Sequence, residues 1–325
     1  MDSIRTDLAV ENYETAEREI DGVSVTVASA DFDIKITTVE ILDESGETAL
    51  GKPVGSYITV ESTLMKENAP LAHDEIIKVL ARELGELHKL PRDATVLVIG
   101  LGNRNITADA LGPKVTEKTL TTRHINSQLP RELLGKVRAV SAIAPGVMGQ
   151  TGIETGEVVA GLVSRVNPDL VIAIDALAAR RANRINATIQ MSDTGLNPGA
   201  GVGNKRMAIN RETLGVPVIA IGVPTVVDAA TLVTDTIDLC LADMIEETEK
   251  GSEFYEMLQS LAQEERYHII KQVLEPYAKN MFVTPKEVDA VIERLAGIVA
   301  NALNIGLHTG ITMEDVNKYS HDLAN

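Results

Sequence analysis

Apolar residues are distributed along the chain in two ways. Gly22–Ser29 (GVSVTVAS), Ile34–Ile41 (IKITTVEI) and Tyr57–Glu61 (YITVE) alternate apolar with polar positions, as half-buried strands do. With the Gly/Pro-rich turn Gly51–Gly55, they predict a small antiparallel β subdomain over 20–64, with one wet face. Val96–Ile99, Leu170–Ile174 and Val216–Gly222 are instead continuous apolar runs. Strands buried on both faces of a parallel sheet read this way. Val137–Ile143 and the shorter Ala187–Met191 read as further strands. Between them lie helical periods. In Asp74–His88, Ile77, Leu80, Ala81, Leu84 and Leu87 share one face, and Pro91 ends the helix. Pro113–His124 has proline in its first turn. A helix capped by Thr151 or Thr155 runs to about Val166, and another follows Asp228 to about Ile245. Residues 1–20 are polar and show no convincing period.

Strands alternating with helices imply an α/β fold, a mostly parallel sheet flanked by helices with right-handed crossovers. The α/β core spans 65–245. Residues 246–325 form a helical C-terminal region, with periods over Phe254–Tyr277 and over Pro285–Ile305, the latter opened by Thr284-Pro285-Lys286-Glu287. Polar, Gly/Pro-rich segments follow three core strands, at 100–113, 175–181 and 222–228. They are expected to converge on one rim, where open α/β sheets bind ligands.

Composition narrows the function. The net charge of −17, from 47 acidic and 30 basic residues, argues against a protein that grips nucleic acid directly. Three Phe, six Tyr and no Trp give no platform for stacking bases. The single cysteine, Cys240, supports neither a disulfide framework nor a Cys-based zinc site. The start lacks a signal-peptide pattern and no apolar run reaches about 18 residues, so no membrane association is expected and the protein reads as cytoplasmic.

Several motifs are incomplete. Gly100-x-Gly102-x-x-Asn105 lacks the third glycine of a dinucleotide fingerprint, and no acidic residue follows at ribose-binding distance. Gly199–Arg206 breaks the P-loop rule at Asn204 and Arg206 and reads as a backbone-donor loop lining a groove. Asp193-Thr194-Gly195 is the aspartic-protease triplet in an α/β setting, where a turn is the simpler reading. The favoured chemistry lies with Asp109, in the loop after one buried strand, and Asp175, at the end of another. Two carboxylates in a low-dielectric groove share a proton; one then acts as base toward water while the other polarises a carbonyl. The rival is a metal held by these two with His124 and Glu154, although no clustered His motif is present.

Long runs resemble the germination protease family of spore-forming Firmicutes. They are Ile4–Glu11 (IRTDLAVE), Gly100–Asn103, Thr107–Pro113, Ala144–Gly149, Thr151–Glu154, Ile172–Arg180, Gly201–Arg206, Gly222–Asp228 and Val283–Asp289. The resemblance covers nearly the whole chain. It implies an atypical aspartic peptidase whose two essential aspartates match Asp109 and Asp175, with a fold like the hydrogenase maturation proteases. It implies a tetrameric zymogen of the developing spore that removes its own N-terminal segment and then degrades small acid-soluble spore proteins. Thr6–Glu11 matches the cleavage sequence, so cleavage is expected between Asp7 and Leu8, with 1–7 the propeptide and 8–325 the peptidase. The groove residues implied are Asn103, Met148, Glu154, Arg180, Asp193, Gly201, Asn204 and Lys205; no cofactor or metal is expected. A metal-dependent peptidase on the same scaffold and a non-catalytic binder of spore proteins are the alternatives. The chain departs from the family pattern in a shortened region between Ile245 and Phe254, in Asn197 where His is expected, and in Ala108 where Pro is usual.

Overall fold

The computed structural model describes residues 6–15, 20–128, 135–198, 206–248, 252, 269–270, 272–274, 276 and 281–316. In chain order the elements are α1 (Ala9–Thr15), β1 (Val23–Ala30), β2 (Ile34–Ile41), α2 (Glu44–Leu50), β3 (Gly55–Glu61), α3 (Pro70–Leu87), β4 (Thr95–Gly100), α4 (Leu111–Lys118) and β5 (Ala139–Ile143). Then follow α5 (Met148–Thr151), α6 (Thr155–Val166), β6 (Leu170–Ala179), β7 (Thr188–Ser192), α7 (Arg211–Leu214), β8 (Val218–Asp228), α8 (Ala229–Glu247), β9 (Phe282–Val283) and α9 (Val288–Leu307).

The α/β architecture is as expected, built on one mixed sheet in the order β1-β2-β3-β7-β8-β6-β4-β5, with β9 added to β8. β5, β4, β6 and β8 run parallel. The small antiparallel sheet expected near the N-terminus is a wing of this same sheet, because β3 pairs antiparallel with β7 and β7 with β8. The parallel strands carry side chains to two faces. Val96 and Val98 of β4 and Leu170, Ile172 and Ile174 of β6 pack beneath α3, α4 and α9. Leu97, Ile99, Val171 and Ala173 pack against α6 and α7. After β4 the chain crosses by α4 to β5 on one side, then by α6 to β6 on the other. The carboxyl end of β4 is therefore a topological switch point, where such sheets open a crevice.

Several elements differ from the pattern. Asp175 does not end its strand: β6 and β8 continue together from Val171↔Val218 to Ala179↔Val227, well past β4, whose pairing stops at Gly100↔Ile174. Gly222 read as a turn signal. It is a close approach instead, since a Cβ there would stand 2.3 Å from Leu177 Cδ1. Pro224 read as a break; within β8 it sits beside a register shift at Leu177/Ala178, the bulge by which a sheet accommodates a residue without an N–H. α1, at seven residues, is too short to show a period, yet it buries Ala9, Val10 and Glu11, and Leu8 just before it is buried too. α2 fell in a stretch read as β; Asp43 caps it by accepting from Ser45 N and Gly46 N, and Gly51 ends it at φ 62°. Neither threonine caps α6, which Glu154 precedes without a side-chain bond. Thr284 likewise does not cap α9 but donates to Thr225 O. The expected helix Phe254–Tyr277 lies largely outside the described residues. α9 does reach membrane-spanning length and mean hydropathy, against the expectation; 61% of its apolar window is buried within the protein, against α3 and α4, as in a core helix.

Candidate active site

Close backbone approaches set the crevice. A Cβ on Gly100 would lie 2.1 Å from Gly112 O, and one on Gly112 2.3 Å from Leu101 O, so glycine at both lets α4 start directly against β4. Gly102, at φ +105°, would place a Cβ 2.0 Å from Asp109 O. The loop thus doubles back and sets Asp109 over Gly102, at the end of a single 3₁₀ turn, Thr107–Asp109. Asn103 N–H donates to Asp109 Oδ2 at 2.7 Å. The Asn103 side-chain oxygen accepts from Asn105 N at 3.0 Å and Gln150 Nε2 at 2.7 Å, tying the loop to α5. Thr225 Oγ1 donates to Ala108 O at 2.7 Å and ties it to β8.

β6 delivers the second carboxylate. Strand alternation puts Asp175 on the face of Val171 and Ala173, one residue beyond Ile174, whose carbonyl accepts Leu101 N at 2.8 Å. Burial, and then the charge of Asp109, push the Asp175 carboxyl up to about 8. Burial also raises Asp109, opposed by the Asn103 N–H and by Arg206. The two are thus coupled, and the pair holds a proton more tightly than free carboxylates do.

A third acidic residue is brought to the pair by the N-terminal segment. Asp7 N donates to Ala178 O at 3.0 Å, and Ala178 N donates to Asp7 Oδ2 at 2.9 Å, so residues around Asp7 lie along the part of β6 that outruns β4. Burial raises Asp7, against the pull of Lys52, and Asp7 in turn adds to the upward shift of Asp175. The Asp7 carbonyl oxygen accepts from Lys52 Nζ at 3.0 Å and Gln190 Nε2 at 3.3 Å. Gln190 Oε1 accepts from Ala9 N at 2.7 Å. Leu8 is wholly buried. Glu11 accepts from Arg180 N at 2.8 Å and Arg181 N at 2.9 Å. Below it, buried Arg184 joins Glu14 at 2.7 Å, Glu61 at 2.8 Å and Glu11 at 3.6 Å. Burial would lower the Arg184 pKa, but its bonds to Glu14 and Glu61 hold it above the usual value.

Of the other residues expected here, Arg180 reaches Thr15 Oγ1 at 2.7 Å and Asp235 at 3.8 Å, so it holds the N-terminal segment from both backbone and side chain. Asp193 is exposed and accepts Ser56 N at 2.9 Å, which closes the β3–β7 edge as a turn residue. Met148 is exposed at the start of α5. Glu154 has one carboxylate oxygen buried without a partner among the described residues. Gly201, Asn204 and Lys205 lie outside the described residues. His124 is exposed. Among the described residues, no three His, Cys, Asp or Glu side chains gather as a metal site. Lys52, Gln190 and Arg184 escaped the sequence reading, because each is drawn in from a distant segment and carries no local motif.

Two coupled carboxyl groups and a peptide carbonyl met by two side-chain donors are the kind of parts an acid–base hydrolase uses. The germination protease family model matches residues 3–254 and 242–320, two segments that meet near the expected shortened region. A germination protease of Clostridium perfringens is 50% identical over 323 residues, covering 98% of this chain and 99% of its own. One from Caldanaerobacter subterraneus subsp. tengcongensis is 50% identical, with 98% of each chain covered. One from Priestia megaterium is 43% identical, covering 98% of this chain and 97% of its own. That alignment runs over 362 residues, so the relative carries residues this chain lacks. A NiFe hydrogenase maturation protease from Thermococcus kodakarensis aligns over 68% of this chain and 98% of its own, at 16% identity and a TM-score of 0.31. Matched along almost its entire length, the chain belongs to the germination protease family.

Proposed function

We propose that the protein is a self-processing endopeptidase of the spore core that opens the degradation of small acid-soluble spore proteins at germination. The observation that carries this reading is the seating of Asp7 on Ala178 next to the Asp109–Asp175 pair, with Leu8 buried behind it. The N-terminal segment lies as a substrate would, added to the projecting part of a strand. Asp109, the carboxylate, takes a proton from water; the water attacks the Asp7 carbonyl carbon; Asp175 gives its proton to the departing Leu8 nitrogen. Spore protein then enters the groove that the segment vacates. Homo-oligomer assembly, as a tetramer, belongs to the same reading.

The test is the intact mass of purified full-length chain, incubated at mildly acidic pH with and without chelator. Loss of Met1–Asp7 in both samples, and its retention in Asp109→Asn and Asp175→Asn, is the expected result. Processing by folded Asp175→Asn at the wild-type rate would overturn the two-aspartate mechanism. Loss only without chelator would move the chemistry to a metal.

A further inference from the structure

The two-aspartate reading leaves one task open. Attack on a peptide carbonyl drives an electron pair onto its oxygen, and something must hold the charge. The donors that meet the Asp7 carbonyl oxygen belong to neither aspartate: they are Lys52 Nζ at 3.0 Å and Gln190 Nε2 at 3.3 Å. Lys52 comes from the Gly51–Gly55 turn, between α2 and β3, and is half-buried. Gln190 comes from β7 and is nearly fully buried. Gln190 is also locked in orientation, since its Oε1 accepts from Ala9 N at 2.7 Å, which leaves its amide nitrogen facing the carbonyl. Two separate elements thus aim N–H donors at one oxygen, and that oxygen belongs to the bond expected to break.

Resting on the self-processing reading, we propose that Lys52 and Gln190 form the oxyanion site of this protease, with Lys52 as a further catalytic residue. Water adds to the Asp7 carbonyl carbon and loses its proton to Asp109. The carbonyl π pair moves to oxygen, and the resulting charge is held by the ammonium of Lys52 and the amide of Gln190. When the pair returns, the C–N bond to Leu8 breaks and the Leu8 nitrogen takes the proton from Asp175. Collapse leaves the new α-carboxylic acid of Asp7, whose proton returns to Asp175, and the Leu8 amine. In this arrangement the proton on Asp175 is not spent on the carbonyl and remains available for the leaving amine. Desolvation lowers the Lys52 pKa and Asp7 raises it, so the nearby carboxylate favours the ammonium.

The test compares self-processing of the full-length chain in wild type, Lys52→Met, Lys52→Arg and Gln190→Leu by intact mass, as a first-order rate. Hydrogen–deuterium exchange of the N-terminal segment in the unprocessed chain reports whether it remains docked. The expected result for Lys52→Met is a rate about 100-fold lower, with exchange protection of Leu8–Thr15 and the melting temperature unchanged. Lys52→Arg is expected to recover part of the rate, and Gln190→Leu to lose about 10-fold or more. A Lys52→Met rate within threefold of wild type overturns the proposal. So does a rate loss matched by loss of protection, which would make Lys52 a docking residue. Failure of the underlying reading looks different: Asp175→Asn would process as well as wild type, or the wild-type chain would keep its full mass, and the proposal falls with it.

Discussion

At the scale of single residues, the site is held in an unfavourable state. Asp175 has a folded pKa of about 8 against an ordinary value of 3.8, raised first by burial and then by Asp109. A carboxyl raised on folding contributes stability that is complete below about pH 4 and drains away as pH climbs to 8, because the folded chain resists giving up the proton. Asp175→Asn removes that dependence. Its melting temperature is expected to match wild type near pH 4 and to exceed it by at least about 3 °C at pH 8, in thermal scans across that range. A flat difference between the two would contradict the raised pKa. The same substitution is expected to lower processing by about 10²–10⁴, the span of general acid–base contributions. In wild type the rate should fall above about pH 8, as the proton is lost. Gly102 is constrained in another way. At φ +105°, with Asp109 O 2.0 Å from any Cβ, Gly102→Ala must displace the aspartate. The expectation is a loss of about 1–3 kcal/mol in denaturant unfolding, with activity lost alongside it.

At the scale of elements, α1 and the upper parts of β6 and β8 form one device. Helix α1 has two turns and is held by what surrounds it: Ala9 packs on Val39, Ile41, Leu50 and Tyr57, and Glu11 and Glu14 meet Arg184. Arg184→Met is expected to leave those carboxylates and Glu61 without their cation, weakening the docking of α1 by about 3–5 kcal/mol. Amide exchange over Ala9–Thr15 should then approach that of a free peptide while β4 and β6 keep their protection. Unchanged exchange would mean that packing alone holds the helix. These contacts also show where the sequence was legible. The continuous apolar runs identified β4 and the lower halves of β6 and β8, and so placed Asp109 and Asp175 near one rim. Asp175 and Gly222 were misplaced as strand ends because a polar residue and a glycine look like loop signals, whereas here they line a crevice and admit Leu177. Lys52 and Gln190 carry no such signal, since only the β3–β7 pairing brings their segments together.

At the scale of the whole molecule, the net charge of −17 sets like charge against like across the surface. Yet α8 presents Val233, Ile237 and Met244, which share one helix face, as exposed apolar side chains, with Met244 44% exposed. Patches of this kind mark association surfaces, and the proposed homo-oligomer supplies the partner. Ile237→Asp is expected to shift the sedimentation coefficient toward a smaller species while leaving the far-ultraviolet spectrum unchanged. An unaltered sedimentation profile would place the subunit contact elsewhere.

The complete burial of Leu8 has a consequence for timing. Once the bond behind it breaks, the Leu8 nitrogen ceases to be a neutral amide and becomes a terminal amine, with an ordinary pKa of about 7.7–8.0. On the proposed self-processing route that amine takes on a positive charge at a buried position, where Leu8 N donates to Thr6 Oγ1 at 3.0 Å in the uncut chain. A charge costs more at a buried position than at the surface, so the new chain end is expected to turn out toward water once the Asp7 carboxylate beside it has left. On the proposed route the cut therefore acts as a one-way ratchet: it separates two residues and also turns out the end it makes, so that the groove filled by the uncut segment does not refill from its own chain.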